Sequence, residues 1–557
     1  MINALIFVVF YFAIISSVLG YGIYFRELLI KNFPEENYGF IGFLGIFALI
    51  IYSYISNLII SHGLIHNTVI LIIGIALFFL SIYQKLLVPK KTLTTYCFFL
   101  LIFIGIIIFK THDDFPYYHF PYINLLTSSD IIIGIGNLNH GFRTPSSIFY
   151  LNSLFYLPYA SYYLFSVGAA LIMGFALEYL FRDIFFSIKK KNLGDIFYLR
   201  LLSIVFILIF FYRLSEHGTD RSAQIIIFLL VIETLIFFRN KNYYNTFFPK
   251  LVILGSLIIS LKNFYFVYLI ILIPVFYHLY QNKRLVEIKK LFLNKIFLLA
   301  SILVVSVLLI NFFNTGCLVY PVSITCFENL IWSISLEEVK LMNDHYENWS
   351  KAGAGPNFRV ENSENYIAGF NWVNNWLEMY FFNKMSDFLL GIIFLITVIF
   401  IFFKSNKTIN VKKNNHYFFY STLLLLLFEW FYNHPALRYG GYSLIALIIF
   451  IPFCNYMSKF KNDLKKIKKN VFTFILLASV IFLTRNLTRI SDEIEKYQFN
   501  PLSNIFYKVD SHHLRIDEQI LDLKKEYYQC KNLKRCEEKI VKIFKKNGKF
   551  VIYKKND

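Results

Sequence analysis

The sequence predicts an all-α polytopic membrane protein with about 14 transmembrane helices, two large outer loops and a small helical C-terminal appendage. Of its 557 residues, 57% are hydrophobic and only 16% are charged, whereas about 25% are charged in an ordinary soluble domain. The mean hydropathy is +0.55. A soluble protein of this size could not cover so much apolar surface, so the chain belongs to the class that buries it in lipid.

Fourteen apolar segments are predicted to cross the membrane. A hydrocarbon core about 30 Å thick needs about 20 apolar residues per helix. The stretch 150–180 is longer than one crossing requires, so we interpret it as one long helix or a broken one. The predicted spans are 2–21, 39–57, 69–84, 93–110, 150–180, 198–212, 223–238, 249–261, 264–280, 296–313, 386–403, 417–432, 441–455 and 471–485.

Basic residues are distributed unequally between alternate loops. The set of loops that runs from 21–38 to 456–470 carries 27 Lys and Arg, whereas the opposite set carries 10, although it is longer in total. Because Lys and Arg are enriched in cytoplasmic loops, the first set is predicted to be cytoplasmic. Both termini and the two longest loops, 110–149 and 314–385, then lie on the outer side.

The predicted organisation has four parts. Residues 1–92 form N-terminal transmembrane helices, and 93–385 form a helical module that carries both large outer loops. Residues 386–485 form C-terminal transmembrane helices. Residues 486–557 are predicted to be an outer, largely helical tail, because they are rich in charge and their apolar residues recur at helical spacing.

The formal net charge of +20 would suggest a nucleic-acid partner if the protein were soluble. Here most of the excess lies in short loops between apolar segments, where Lys and Arg fix membrane orientation. No basic groove or stacking motif accompanies the charge. We therefore predict contacts with membrane lipids and no nucleic-acid partner.

Four cysteines form two close pairs on the predicted outer side. Disulfides persist in oxidising compartments and are rare in the cytosol. We predict that each pair is a disulfide, and the alternative is four free thiols. The pairs are Cys317 with Cys326 and Cys530 with Cys536.

The loop after the fourth span carries an unusually dense polar cluster in an otherwise charge-poor chain. Asp113 and Asp114 follow the predicted span 93–110 and are flanked by His112 and His119. Acids at a helix C-terminus are mildly unfavourable, because the negative end of the helix dipole lies there. A protein tolerates such acids more readily when they have a chemical role. They are candidates for a general base or for a pair of ligands to a divalent metal, Mg²⁺ or Mn²⁺. The alternative is two solvated loop acids. Asp113 is the first choice, because it lies nearest the membrane boundary.

Arginine and histidine side chains near the predicted outer ends of spans are further candidates for contact with a substrate. Arg143 precedes a predicted helix start, where free backbone N–H groups also attract anions. Arg438 lies at the start of the predicted span 441–455, at the height of lipid phosphates. The alternative for the arginines is solvation or anchoring to headgroups. The full set is His112, His119, Arg143, Arg213, Arg221, His434 and Arg438.

Three features together resemble the GT-C superfamily of membrane glycosyltransferases, which use sugars linked to polyprenyl phosphate. Asp113 and Asp114 open the first large outer loop, seven predicted spans run from the one ending at 110 to the one ending at 313, and the second large loop follows. The resemblance covers about residues 93–385. The string from His112 to His119 is also similar to a bacterial branch of such proteins.

The resemblance implies an inverting hexosyl or pentosyl transferase of a bacterial inner membrane, with its active site facing the periplasm or the outside. It would move a sugar from a polyprenyl-phosphate donor to a hydroxyl of a glycan, lipid or protein acceptor. Asp113 or Asp114 would take the proton or hold a divalent metal. Cations would face the leaving phosphate, and the candidates are Arg143, Arg213, Arg221, His434 and Arg438.

Two other classes of membrane protein fit parts of the pattern. An O-antigen polymerase or ligase also has many spans and a large periplasmic loop, although loop 314–385 is not rich in arginine. A lipid-linked sugar flippase or another transporter would fit the span count. Transporters keep ionisable sites near the midplane of the membrane, and the predicted spans carry their acids toward the ends instead.

Overall fold

The computed structural model describes residues 2–29, 37–214, 218–239, 244–284, 286–355, 358–408, 417–461, 463–502, 507–533 and 540–554. Within these residues the chain is a helical protein with one small β-hairpin. The α-helices are α1 (Ile2–Leu29), α2 (Tyr38–Asn57), α3 (Leu64–Tyr83), α4 (Pro89–Phe103), α5 (Phe120–Ser128), α6 (Ser147–Ser153), α7 (Val167–Lys189), α8 (Asp195–Phe210), α9 (Asp220–Arg239), α10 (Tyr244–Leu261), α11 (Leu272–Gln281), α12 (Val286–Phe292), α13 (Lys295–Thr315), α14 (Leu336–Lys351), α15 (Ser363–Ile367), α16 (Val373–Trp376), α17 (Ser386–Phe403), α18 (Tyr417–Asn433), α19 (Gly441–Met457), α20 (Leu464–Tyr497) and α21 (Ser511–Leu533). Two strands, β1 (Val541–Lys546) and β2 (Lys549–Lys554), follow them.

Nine helical segments within the described residues are long and apolar enough to cross a membrane, and the apolar helices 246–261 and 441–457 are shorter. The class of helical, membrane-embedded protein is therefore confirmed, whereas fourteen full-length spans are not. Besides these two helices, three further predicted spans correspond to helices below the usual crossing length of about 20 residues. They are α4, α8 and α18, with 15, 16 and 17 residues.

The helices form an inner layer and a lipid-facing layer. The most apolar windows of α2 and α9 are 83% buried, against 22% for α3 and 33% for α13. Helices whose apolar side chains are exposed in this way present them to lipid. Helices α1 and α2 approach each other closely at Gly45. A side chain at this position would overlap the Val18 carbonyl, so the absence of one permits the contact.

The predicted span 150–180 is broken. Ser146 caps α6 by accepting a hydrogen bond from the Ile148 amide at 3.4 Å. The chain then turns through residues 154–166, where Tyr159 and Ser161 have φ values of +63° and +46°. Helix α7 begins only at Val167, so the first large loop extends to this point.

Helix α4 ends at Phe103 and not at residue 110 as predicted. Backbone groups beyond it are bound by the distant helix α20. Arg489 donates to the Ile107 carbonyl at 2.6 Å, and Glu493 accepts from the Phe109 amide at 2.9 Å. Asp113 and Asp114 therefore follow an irregular connection of turns and bends and not the end of a helix.

Four connecting segments meet at one end of the bundle, which we call the loop face; they are residues 58–63, 104–166, 316–372 and 434–440. The His62 amide donates to the Leu126 carbonyl at 2.8 Å. The Asn137 side chain donates to the Trp332 carbonyl at 3.0 Å. The ring centroids of Trp349 and Tyr439 lie 5.7 Å apart. Contacts of this kind bring regions far apart in sequence onto one surface.

The C-terminal tail is helical only in part, because α21 is followed by the β-hairpin. The strands pair in register from Val541 with Lys554 to Lys546 with Lys549. Asn547 and Gly548 form the turn with φ values of +49° and +82°, as expected for an Asn-Gly hairpin turn. The Asn-Gly pair is visible in the sequence, but the prediction of a largely helical tail did not take it into account.

Candidate functional site

Four charged side chains from separate parts of the chain meet at the loop face, and we call them the charged cluster. Arg438 lies between two acids: its Nη2 atom is 3.4 Å from Asp114 Oδ2, and its Nε atom is 3.2 Å from Asp220 Oδ2. The Lys262 ammonium lies 2.5 Å from Asp220 Oδ1. Two carboxylates and two cations thus form one continuous set of ion pairs.

Asp220 links the two cations of the cluster. It is the first residue of α9, where a carboxylate is favoured by the helix dipole. Its side chain is only 7% exposed, and its two oxygens bind different cations. A carboxylate buried to this degree is stable only when it is paired, so Lys262 and Arg438 are held on either side of it.

The position of Arg438 is fixed by its own backbone. Gln224, one turn after Asp220 on α9, donates to the Arg438 carbonyl at 3.0 Å and accepts from the Ser443 amide at 3.1 Å. Gly440 has a φ of +99° between them, a conformation that glycine adopts without strain. The Arg438 guanidinium lies 5.4 Å from the ring centroid of Trp349 on α14.

The two acids of the first loop are placed differently. The Asp114 side chain is 30% exposed and faces Arg438, and its Oδ2 atom lies 3.4 Å from His112 Nδ1. The Asp113 side chain is 92% exposed, and its partner is Lys110 at 3.4 Å. The acid that the geometry brings to the cluster is therefore Asp114 and not Asp113, the first choice from sequence.

Burial and neighbouring charges shift the pKa values of groups around the cluster. Burial lowers the pKa of His119 to about 4, so this imidazole is neutral at pH 7. Burial together with nearby Lys351 and Lys262 lowers the pKa of His434 to about 4. Burial alone would lower the pKa of Arg438, but Asp220, Tyr439 and Asp114 raise it above its ordinary value. Arg438 therefore keeps its positive charge beside neutral imidazoles.

Several polar atoms close to the cluster have no hydrogen-bond partner in the described part of the protein. Asn263 follows Lys262 and is 7% exposed, and neither its amide nitrogen nor its oxygen is paired. The Tyr265 hydroxyl and His434 Nδ1 are also unpaired. Buried polar groups are normally hydrogen-bonded, so these atoms offer neutral donors and acceptors to a ligand or to ordered water.

The remaining predicted arginines have other surroundings. Arg143 is buried and donates to the Gly136 carbonyl at 3.0 Å, the Tyr320 hydroxyl at 3.0 Å and Glu338 at 2.7 Å. Because its guanidinium is engaged by the protein, it joins the two large loops and is not offered to a phosphate. Arg221 stacks 3.8 Å from the ring centroid of Tyr442, and Arg213 is half-buried between α8 and α9.

The Asp113 and Asp114 carboxylates do not converge as a metal-binding pair would, because one faces solvent and the other faces Arg438. No group of three or more His, Cys, Asp or Glu side chains among the described residues is arranged to hold a metal ion. These residues do not fit a shared divalent metal in this arrangement, and we assign no step to one.

The predicted cysteine pairs belong to the second large loop and to the tail. Cys317 and Cys326 form a disulfide directly after α13. Cys530 on α21 is also disulfide-bonded, and Cys536 lies outside the described residues. The first disulfide closes the beginning of the second large loop, whose helix α14 supplies Trp349 to the cluster.

The sequence interpretation did not include Asp220, Lys262 and Gln224 among its candidate residues, although the structure places them in or directly beside the charged cluster. Two signals could have found them. Asp220 and Gln224 are one helical turn apart on α9 and so share a face, which is unusual in an apolar helix. Lys262 is a single cation in a very short connection on the side predicted to be poor in basic residues.

The fold and the charged cluster together define an integral membrane protein with a polar, partly buried site at one end of its helix bundle. The chain belongs to the family described as domain of unknown function DUF8201, whose model matches residues 1–445. All four residues of the cluster lie within this range. No curated protein and no solved structure matches the chain.

Proposed function

We propose that this protein is an integral membrane glycosyltransferase that moves a sugar from a polyprenyl-phosphate donor to a hydroxyl of a glycan, lipid or protein acceptor. The observation that carries the proposal is the approach of Asp114 to Arg438, 3.4 Å apart, beside Lys262. Glycosyl transfer from a phosphate needs a base near the acceptor hydroxyl and cations near the leaving group. The charged cluster supplies both kinds of group.

The donor phosphate is assigned to Arg438 and Lys262. Arginine and lysine bind phosphate through charge-assisted hydrogen bonds, and Asp220 holds these two cations on one side of the site. The sugar is assigned to the neighbouring neutral groups. The side chain of Asn263 and the hydroxyl of Tyr265 are unpaired and buried, as suits a partner with several hydroxyl groups.

The proposed reaction is a single displacement with inversion. The acceptor oxygen attacks the anomeric carbon as its proton passes to the Asp114 carboxylate. The bond between that carbon and the phosphate oxygen breaks, and the polyprenyl phosphate leaves with the electron pair. Arg438 and Lys262 stabilise the charge that develops on it. Each proton and electron pair is therefore accounted for by residues of this chain and the two substrates.

The contact between Asp114 and Arg438 represents the resting form of the site in this scheme. A donor phosphodiester carries one negative charge, as a carboxylate does, but its two free oxygens can bind Arg438 and Lys262 together, and it therefore competes with Asp114 for the guanidinium. Binding of the donor thus releases Asp114 toward the acceptor. The site lies in a bacterial inner membrane and faces outward in this proposal, in line with the excess of basic residues in the opposite loops.

A pair of adjacent variants tests the proposal. Asp114→Asn keeps the size of the side chain and removes its charge, and loss of a general base costs about 10²- to 10⁴-fold in rate. Asp113→Asn is the matched control, because its side chain is 92% exposed. Glycan or glycolipid output is measured in a deletion strain complemented with each variant at equal expression. Normal product with Asp114→Asn would contradict the assignment.

A further inference from the structure

The described parts of the C-terminal segment beyond the membrane, 486–502, 507–533 and 540–554, contact the loop that carries Asp114. Helix α20 has 34 residues, or about 50 Å at 1.5 Å per residue, whereas a bilayer core is about 30 Å thick. Its last turns therefore extend past the apolar region at the loop face. Helix α21 and the β-hairpin continue along the same surface.

The first contact holds the chain just before Asp114. Arg489 donates to the Ile107 carbonyl at 2.6 Å, and Glu493 accepts from the Phe109 amide at 2.9 Å. The two side chains also form an ion pair at 3.2 Å, and both are less than 10% exposed. Hydrogen bonds that involve charged groups are stronger than neutral ones, so residues 107–109 are firmly bound to α20.

The second contact holds the chain just after Asp114. Arg515 of α21 donates to the carbonyls of Pro116 and Tyr117 at 3.3 and 2.8 Å, and its guanidinium lies 5.3 Å from the Tyr117 ring centroid. The carbonyls belong to the π-helical turn Phe115–His119, which begins immediately after Asp114. Nearby, Asn124 donates to Asp517 at 3.1 Å.

The third contact joins the tail to both large loops. The Ile552 amide of β2 donates to the Ile133 carbonyl at 2.8 Å, and the Ile133 amide donates to the Phe550 carbonyl at 2.9 Å. A side chain at Gly134 would overlap the Ile552 carbonyl. Lys554 lies 3.5 Å from Glu338, which also binds Arg143. The hairpin therefore holds the junction of the two loops.

We infer that the described parts of the tail, 486–502, 507–533 and 540–554, act as a clamp that sets the position of Asp114 relative to Arg438, with Arg489 and Arg515 as positioning residues. The inference rests on the proposed function of Asp114. Residues 110–114 lie between two segments, 107–109 and 116–117, that are each hydrogen-bonded to the tail. Asp114 itself reaches Arg438 only at 3.4 Å, which is too long for this ion pair to fix the loop alone. The clamp lies wholly beyond the residues matched by the family model.

Arg489→Gln and Arg515→Gln test the clamp in the full-length protein in lipid nanodiscs. Arg485→Gln is the matched control, because Arg485 also lies on α20 but donates to the Ile209 carbonyl at 2.7 Å and not to the first loop. Hydrogen exchange of the peptide 106–120 is measured by mass spectrometry. We expect exchange to be about tenfold faster in both clamp variants and unchanged in the control. Unchanged exchange in both clamp variants would overturn the inference without bearing on the proposed function.

A second measurement separates positioning from simple folding. Binding of farnesyl phosphate, a short polyprenyl phosphate, should be unchanged in the clamp variants, because Arg438 and Lys262 are intact. Product in the complemented strain should fall by about 100-fold, since a misplacement of 1 Å has effects of that size. Arg515→Lys should recover part of the output.

Faster exchange with normal output, in a strain where Asp114→Asn abolishes output, would overturn the clamp and leave the proposed function standing. Normal output with Asp114→Asn would instead contradict the proposed function.

Discussion

Asp220 Oδ2 lies 3.2 Å from Arg438 Nε, although 218 residues separate the two in the sequence. The Asp220 side chain is almost fully buried, whereas the Arg438 side chain is 34% exposed. Asp220 is thus the buried member of the pair, and about a third of the Arg438 side chain remains accessible. The same carboxylate also holds Lys262.

Asp220→Asn should therefore weaken the site and destabilise the protein. Removing one partner of a buried ion pair costs about 3–5 kcal/mol, and we expect the lower end, because Arg438 and Lys262 retain access to water. Thermal unfolding of the purified protein measures the loss. Asp387→Asn is the control, because Asp387 lies in the first turn of α17 and is exposed. Equal unfolding temperatures for the two variants would contradict the buried pairing.

Acidification should destabilise the protein through His119. Burial lowers the pKa of His119 to about 4 in the folded state, against about 6.5 in the unfolded chain. The unfolded state then binds a proton between these values and the folded state does not, so the contribution is complete above about pH 6.5 and is lost as the pH falls toward 4. His119→Gln should flatten the pH dependence of the unfolding temperature over this interval. The exposed His512→Gln should leave it unchanged, and an identical profile for both variants would argue against a buried neutral imidazole.

Gly141→Ala should disturb the site from the loop side. A side chain at Gly141 would overlap the Tyr118 ring, and that ring packs 4.3 Å from the ring of His119. Overpacking of this kind costs about 1–3 kcal/mol, and displacement of Tyr118 next to Asp114 should lower product formation. Gly255→Ala on α10 is the control, because nothing lies within 4 Å of an added side chain there. The prediction fails if the two variants are equally stable and active.

The orientation of the protein can be tested with two single cysteines. His345 on α14 and Lys466 on α20 are both exposed, and the distribution of basic residues predicts that they lie on opposite sides of the membrane. His345→Cys should react with an impermeant thiol reagent in intact cells, whereas Lys466→Cys should react only after permeabilisation. Cys97 and Cys454 are replaced in both variants. Labelling of position 466 in intact cells would contradict the predicted orientation.

The sequence predicts the class of the fold well and the members of the charged cluster in part. Apolar segments are a local property, so the helices are recognisable one at a time. The end of α4 cannot be recognised in this way. The backbone just after it is hydrogen-bonded by Arg489 and Glu493, which are 382 and 384 residues away in the sequence. The choice between Asp113 and Asp114 depends on that boundary, which explains why the adjacent acid was preferred.

The arginines show the same limit of prediction from sequence, because local signals do not distinguish Arg438 from Arg143. Arg438 was among the predicted phosphate-binding residues, and the structure places it in the charged cluster. Arg143 carried a similar local signal, yet the packing of the two large loops pairs it with Glu338, 195 residues away. A sequence indicates which cations are in the right region, but only tertiary contacts decide which of them remains accessible to a ligand.

The attachment of the β-hairpin to Ile133 has a consequence for the order in which the protein matures. A ribosome produces residues 104–137 long before residues 541–554, and early segments begin to fold during synthesis. The loop that carries Asp114 can nevertheless reach its final position only after the hairpin has been made and has crossed to the loop face. A chain that is cut short after its membrane helices would therefore contain every member of the charged cluster but lack the contacts of α21 and the hairpin with the first loop.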